Sequence, residues 1–306
     1  MPLTQLNFQP GIDTENTQTG AEGRWVDGDK IRFRKGLPQK IGGWIKFSEG
    51  YYVGVGRALE QWFSLNGSRY EALGTDRKVY AYASGTSQDI TPIRETAALV
   101  NAISTTTSSD IITITDVSHG ATQGDFVTLS SVSIDVGGIV AATLDAEYEI
   151  LSIANVDAYT IQSSATANAN AGPTANCTAT YQLNIGPDEQ TFGYGWGAGT
   201  YSAGTWNTPR TTSNVILDAR LWSINNWGED LILTQKDGGT YEWDLSGGMT
   251  SNRATVIANA PTASTLSIIS TETRHVVCAG TETAIGNVAT QDKMFIRWSD
   301  QENYNY

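Results

Sequence analysis

The chain has 306 residues, with 19 Lys and Arg against 32 Asp and Glu, 31 Gly, 9 Trp and 13 Tyr, but only two Cys and two His. This length allows one large domain or two smaller ones with a sizeable core, and the abundance of Gly, aromatics, Thr and Ser without a long helical period indicates an all-β protein. The composition excludes a disulfide framework and a cysteine-based metal site, because Cys177 and Cys278 stand alone and far apart; no apolar run reaches the roughly 18 residues of a membrane span, and the start lacks the basic and apolar regions of a secretion signal.

Residues 1–22 are polar, contain Pro10-Gly11 and show no period, so an extended N-terminal arm is expected. From Gly23 to Trp44 the apolar Ile31, Phe33 and Leu37 alternate with Arg32, Arg34 and Lys35, which predicts a strand ended by Gly36 and Pro38. This segment is locally basic. It reads either as a surface for phosphates or an acidic partner or as the solvated or protein-facing side of a strand. Glu22, Asp27 and Asp29 interrupt the patch and weaken its field, which favours the second reading.

The first hairpin is Tyr70 to Tyr82, with Thr75-Asp76-Arg77-Lys78 as its turn. The Gly54-Val55-Gly56 that precedes it lacks the third glycine and the helix of a dinucleotide fingerprint, and is expected to be a bend. An insert then runs over 98–185, with strands predicted at Asp110–Asp116, Asp125–Ser130, Glu147–Ile153 and Ala158–Gln162. Its tail, SSATANANAGPTANCTAT, is expected to be a flexible loop or an edge strand. His119-Gly120 reads as a turn, since a lone His lacks the converging donors of a metal site. Charge marks the insert sharply: 11 of the 32 acidic residues lie between Glu95 and Glu189, and no Lys or Arg occurs from Glu95 through Pro209, leaving 21 acidic against 19 basic residues elsewhere.

Gly193 to Arg210 alternates Gly with Tyr and Trp. No Gly-Lys-Ser/Thr follows, so this is no phosphate cradle; Tyr194, Trp196, Tyr201 and Trp206 suit a protein interface or a sugar-stacking loop. Leu221 to Asp244 reads as a complete hairpin, with a turn at Trp227–Asp230, a reversal at Lys236–Gly239, and Tyr241 and Trp243 alternating on the last strand. Positive φ is expected at the central positions of the Asp-Gly reversal, a conformation that Gly reaches without a Cβ clash. His275 to Asp300 repeats the pattern more loosely, with Phe295 and Trp298 as the aromatic pair. Three such units are either inner hairpins of propeller blades or separate hairpins of a β-sandwich.

Catalysis finds no motif. The two histidines fit no triad, zinc helix or Cys-His pair, and the carboxylate pairs Glu229-Asp230, Glu147 with Glu149, and Asp188-Glu189 are ordinary loop and strand features. Trp298-Ser299-Asp300 starts like the Ser-x-Asp-x-Gly-x-Thr-Trp turn of propeller sialidases and then departs from it at every informative position.

The ordered set LNFQPGIDTENT, WVDGDKIRFRKGLPQKIGGW, ALEQWFSLNGSRYEALGTDRKVYAY, LWSINNWGEDLILTQKDGGTYEWD and IRWSDQENYNY resembles the tail nozzle proteins of short-tailed bacteriophages, also called packaged-DNA stabilisation or tail tubular proteins. The likeness covers residues 1–97 and 186–306. The insert, through HGATQGDFVTL, YEILSI and AYTI, is similar to small β-domains grafted into phage virion proteins. The resemblance implies a β-propeller-like body in two parts (23–97 and 186–306) around an inserted acidic β-domain. It also implies a homo-hexameric ring below the portal, made in the host bacterial cytoplasm and placed in the virion tail. The implied neighbours are the adaptor and the tail fibre, spike or needle proteins, with duplex DNA passing through unbound. No catalytic residue, cofactor or metal is implied. Candidate interface residues are Tyr194, Trp196, Tyr201, Trp206, Arg32, Arg34 and Lys35. Only three hairpins are legible where a closed propeller needs about four to eight blades, so blades are hidden in stretches such as Thr255 to Thr271 or the chain is shorter than the family. Two other classes stay open: a glycan- or receptor-binding module using residues 193–206, and a polysaccharide hydrolase.

Overall fold

A computed structural model describes residues 9–43, 45–46, 48, 50–190, 218–249 and 252–305. Two compact units are present, Met1–Phe47 and Ser48–Tyr306.

In the first unit, β1 (Ile31–Arg34) and β2 (Leu37–Lys40) pair antiparallel with Phe33 opposite Pro38. The first strand thus ends before Gly36, as expected, whereas Leu37 and Pro38 belong to the returning strand. Lys35 and Gly36 take φ of 51° and 81° and form the reversal, the geometry that matches the strand twist in a two-residue hairpin. Pro38 is tolerated because a two-stranded ribbon has only edge strands. The expected extended arm folds back over its described part: Gln9 N–H donates to Gly23 O at 2.9 Å, Asp13 N–H donates to Trp25 O at 2.7 Å, and Ile12 bridges Trp25.

The second unit starts with a four-stranded meander, β3 (Gly56–Phe63), β4 (Arg69–Thr75), β5 (Val79–Ala83) and β6 (Thr86–Asp89). The insert follows as β7 (Ile93–Leu99), β8 (Ile103–Thr105), β9 (Ile111–Thr115), β10 (Phe126–Ser130), α1 (Ala141–Leu144), β11 (Glu147–Asn155), β12 (Ala158–Gln162), β13 (Ala171–Thr174) and β14 (Cys177–Gln182). Its strands form one eight-stranded sheet in the order β13-β8-β9-β12-β11-β10-β14-β7, starting upstream of the boundary expected at 98. Alternation places Ile112 and Ile114, Val127 and Leu129, Tyr148 and Ile150, and Tyr159 and Ile161 in a single core, which is how a period of two builds one buried face. The low-complexity tail is part loop and part strand, with residues 163–170 outside any strand. It supplies β13 at the edge and β14 between β10 and β7, where Cys177, Ala179 and Tyr181 point inward. The chain enters and leaves the insert at one place, since β7 pairs with β14 and Leu183 N–H donates to Pro92 O at 3.0 Å.

The body resumes with a second four-stranded meander, β15 (Trp222–Trp227), β16 (Asp230–Gln235), β17 (Thr240–Trp243) and β18 (Thr255–Val256), and then a three-stranded sheet, β19 (Leu266–Ile269), β20 (Val276–Ala279) and β21 (Ile296–Trp298). The stretch Thr255 to Thr271 thus holds β18 and β19. In the Asp-Gly reversal it is Asp237 that takes the positive φ, 57°. A Cβ at Gly238 would lie 2.8 Å from Cδ of the flexible Gln235 side chain, which would have to shift.

The three sheets of the body pack in chain order. Trp62, Ala72, Val79 and Ala81 of the first share a core with Trp222, Ile224, Leu231, Leu233, Tyr241 and Trp243 of the second. Trp227 and Ile232, from the opposite face of the second sheet, meet Val276 and Cys278 of the third. Among the described residues the fold is all-β apart from single helical turns, and no sheet closes on itself.

Candidate functional site: a charged junction and two surfaces

The turn read from sequence as Thr75–Lys78 is the dock between the body and its insert. Thr75 Oγ1 accepts from Lys78 N–H at 2.8 Å and from Arg77 N–H at 3.2 Å, which fixes the turn. Asp76 Oδ1 accepts from Val55 N–H at 2.5 Å, which brings the Gly54 bend alongside. Lys78 is only 4% exposed. Its ammonium donates to Asp89 Oδ2 at 2.9 Å and to Glu147 Oε1, and lies 4.1 Å from the Phe126 ring centroid. Arg253 completes the cage, with contacts of 2.6 Å to Asp89 and 3.3 Å to Glu147. Arg77 reaches Glu149 at 2.5 Å, and Gln182 donates to Glu147 Oε2 at 2.5 Å.

Burial alone would raise the Asp89 pKa, but Arg253 and Lys78 beside it, with a hydrogen bond from Thr91, hold the carboxyl below its ordinary value. It is ionised at neutral pH and offers no proton. The cage binds and orients the two parts it joins, and its cost of desolvation is offset because every charge has a partner of opposite sign. Two further carboxylates are held low in the same manner. Burial raises Asp237, yet hydrogen bonds from Lys293, Gln291 and Thr265 outweigh it. Burial raises Glu282, yet the backbone N–H groups of Thr262, Ala263 and Gly286 outweigh it.

Of the carboxylate pairs singled out in the sequence, Glu229-Asp230 and Glu147 with Glu149 are engaged by other groups, while Asp188 and Glu189 are exposed. Glu229 Oε1 accepts from Leu65 N–H at 2.7 Å and Asp230 Oδ1 from Leu245 N–H at 2.9 Å. Burial, with Asp244 and Glu229 nearby, raises Asp230. Glu147 and Glu149 are both taken up by the junction. Among the described residues no group of three or more His, Cys, Asp and Glu is placed to hold a metal. His119 is a turn residue whose ring is buried: it accepts from Ala121 N–H at 3.1 Å and meets Tyr159 edge-on at 5.1 Å. Cys177 and Cys278 are free and buried in separate cores, and burial pushes the Cys177 thiol up to about 11.

Trp62, Trp222, Trp227 and Trp243 pack between the sheets of the body. Trp62 stacks on Tyr70 at 5.4 Å and meets Trp243 edge-on at 6.3 Å. Their indole N–H groups end on main-chain carbonyls: Trp62 on Glu229 O at 2.9 Å, Trp222 on Thr75 O at 2.8 Å, Trp243 on Asn252 O at 3.2 Å. A buried indole so satisfied leaves no donor for a ligand. The third aromatic pair behaves differently. Trp298 is 70% exposed and Phe295 36%, so Trp298 lies outside the core that Tyr241 and Trp243 help to build.

Of the candidate interface residues, Arg32, Arg34 and Lys35 are exposed on the β1–β2 ribbon, with Arg32 donating to Gln39 at 3.2 Å. Tyr194, Trp196, Tyr201 and Trp206 lie outside the described residues. Two features escaped sequence reasoning. One is the charged cage, whose members come from four distant segments. The other is a cavity of about 360 Å³ beside β21, lined among others by Ile257, Cys278, Ile296, Arg297 and Tyr304.

No protein-family model and no curated protein matches the chain. Among solved structures, the phage phi92 endosialidase aligns over 80% of this chain at 11% identity and a TM-score of 0.26. The chain spans 38% of that structure's length; a likeness this loose carries no argument about fold or activity.

Proposed function

We propose that this chain is a structural, non-enzymatic subunit of a short-tailed phage tail, repeated six times in a nozzle ring below the portal and its adaptor. The observation that carries the reading is the serial stacking of meander sheets through buried tryptophans, in the same segments that hold the ordered nozzle-like motifs. Such stacking is the construction principle of propeller blades, and we take the body as propeller-like. Charged groups that elsewhere would serve chemistry are consumed here in holding the insert to the body. An acidic subunit repeated around a ring either keeps duplex DNA off the channel wall or keeps the outside soluble, since tight phosphate contacts would add salt-dependent drag.

Electron microscopy and native mass spectrometry of the purified chain test the reading. Six-fold rings without affinity for duplex DNA at low salt are expected. A monomer that binds glycans through residues 193–206 would replace it with the receptor-binding alternative, and turnover of a polysaccharide would replace it with an enzyme.

A further inference from the structure

The three body sheets differ at one position. In the first, β6 pairs antiparallel with the outer edge of β5, and in the second β18 does the same for β17. Among the described residues the third sheet stops at β21. Gly280 N–H donates to Phe295 O at 2.8 Å and Ser299 N–H donates to Val276 O at 2.9 Å, so residues 295 and 299 turn their main-chain groups toward β20, and by alternation so does Arg297. The N–H and C=O groups of Ile296 and Trp298 face away from the sheet. Their side chains are 54% and 70% exposed. The pairing Leu266–Ala279–Ile296 and Ile268–Val277–Trp298 makes the face around them wholly apolar, and the cavity of about 360 Å³ adjoins the same edge.

Charge defines what fits. Arg297 donates to the carbonyls of Glu282 at 3.2 Å and Thr283 at 2.8 Å, lies 5.1 Å from the Phe295 ring, and has no carboxylate in ion-pair range among the described residues. A second copy of β21 would set Arg297 against Arg297, a like-charge cross-strand pair. We infer that the outer edge of β21 is a strand-addition site for a partner protein. It takes an extended segment of apolar–acidic–apolar pattern, antiparallel to Ile296–Trp298, as the fourth strand of the third sheet. Two main-chain pairs form with Ile296 and Trp298, the flanking apolar residues extend the apolar face, and the acidic residue meets Arg297, where the cavity leaves room for its side chain. The inference is independent of the ring reading.

The test uses the full chain and fluorescein-labelled nonapeptides centred on Val-Glu-Val, on Val-Lys-Val, and on Val-Glu-Val with both valine nitrogens methylated. Fluorescence anisotropy gives affinity, and hydrogen exchange gives the protection of the Ile296 and Trp298 amides. The Glu peptide is expected to bind and to slow exchange at both amides; the Lys peptide should bind about ten-fold more weakly, and the methylated one not at all. Arg297→Glu should invert the order of the Glu and Lys peptides, which also shows that the variant is folded. Absence of binding at millimolar peptide, equal binding of the methylated peptide, or protection of both amides in a self-associated chain without peptide would each overturn the proposal.

Discussion

Replacing Lys78 with Met removes one cation from the cage while keeping the apolar stem over Phe126. Breaking a buried pair by deleting one partner costs about 3–5 kcal/mol, because the remaining charge stays desolvated. Arg253 still contacts both Asp89 and Glu147, so the lower end applies, about 3 kcal/mol. The loss should be local: amide exchange in the Thr75–Lys78 turn and along β10 and β11 should accelerate about 100-fold, the equivalent of that energy, while the third sheet is unchanged. In urea the unfolding midpoint should fall by about 1 M for a slope near 3 kcal/mol per M. Adding Glu147→Gln to Lys78→Met should recover part of the loss, since the uncompensated carboxylate is then gone. A loss below about 1 kcal/mol, or exchange that rises evenly over the whole second unit, would refute the claim that the cage docks the insert.

Trp243→Ala should destabilise by about 3–5 kcal/mol in urea titration, as it empties a fully buried site, whereas Trp298→Ala should change stability by less than about 0.5 kcal/mol. Gly54 has φ +93°, and a Cβ there would lie 2.5 Å from Asp76 Oδ1 and 2.8 Å from Thr75 Oγ1. Gly54→Ala should therefore cost about 2–3 kcal/mol, against about 1 kcal/mol for Gly67→Ala, where a Cβ meets nothing within 4 Å despite φ +82°. Circular dichroism against pH should show stability present above the ordinary carboxylate pKa of about 4, then lost as pH falls through the depressed values of Asp89, Asp237 and Glu282. Asp230, raised in the fold, offsets a part of that loss. At the alkaline end Tyr80, pushed by burial from 10.0 up to about 12, makes the fold favour the neutral phenol. That contribution is complete below pH 10 and lost as pH rises through the folded value.

Strands with strong alternation of large apolar residues were legible. Ile112 and Ile114, Val127 and Leu129, and Tyr241 and Trp243 announce their faces directly. Others were not, each for a physical reason. β14 does alternate, but with Cys177 and Ala179 its inward side chains are too small to register as apolar. β18 has two residues and no period at all. The aromatic pair of the last hairpin misled, because Tyr241 and Trp243, two positions apart, share one buried face, whereas Phe295 and Trp298, three positions apart, point to opposite faces of their strand. The cage was invisible because its two bonds to Glu147, which tie in the insert, span 69 and 106 residues in sequence, and a lysine in a polar turn reads as solvated. One signal for it was available: a segment with 11 acidic residues and no Lys or Arg must find cations for its carboxylates outside itself, and Arg77, Lys78 and Arg253 all lie outside it.

The pairing of β7 with β14, which brings the entry and exit of the insert to within one hydrogen bond at Pro92 and Leu183, has an evolutionary consequence. A module whose two ends meet can be gained or lost with almost no change in the span its host must bridge. What restrains such exchange is electrical, since excision would strand Lys78 and Arg253 without Glu147. A lineage that drops the insert should therefore drop those cations with it, and one that trades it for another module should demand an acid at the same spot.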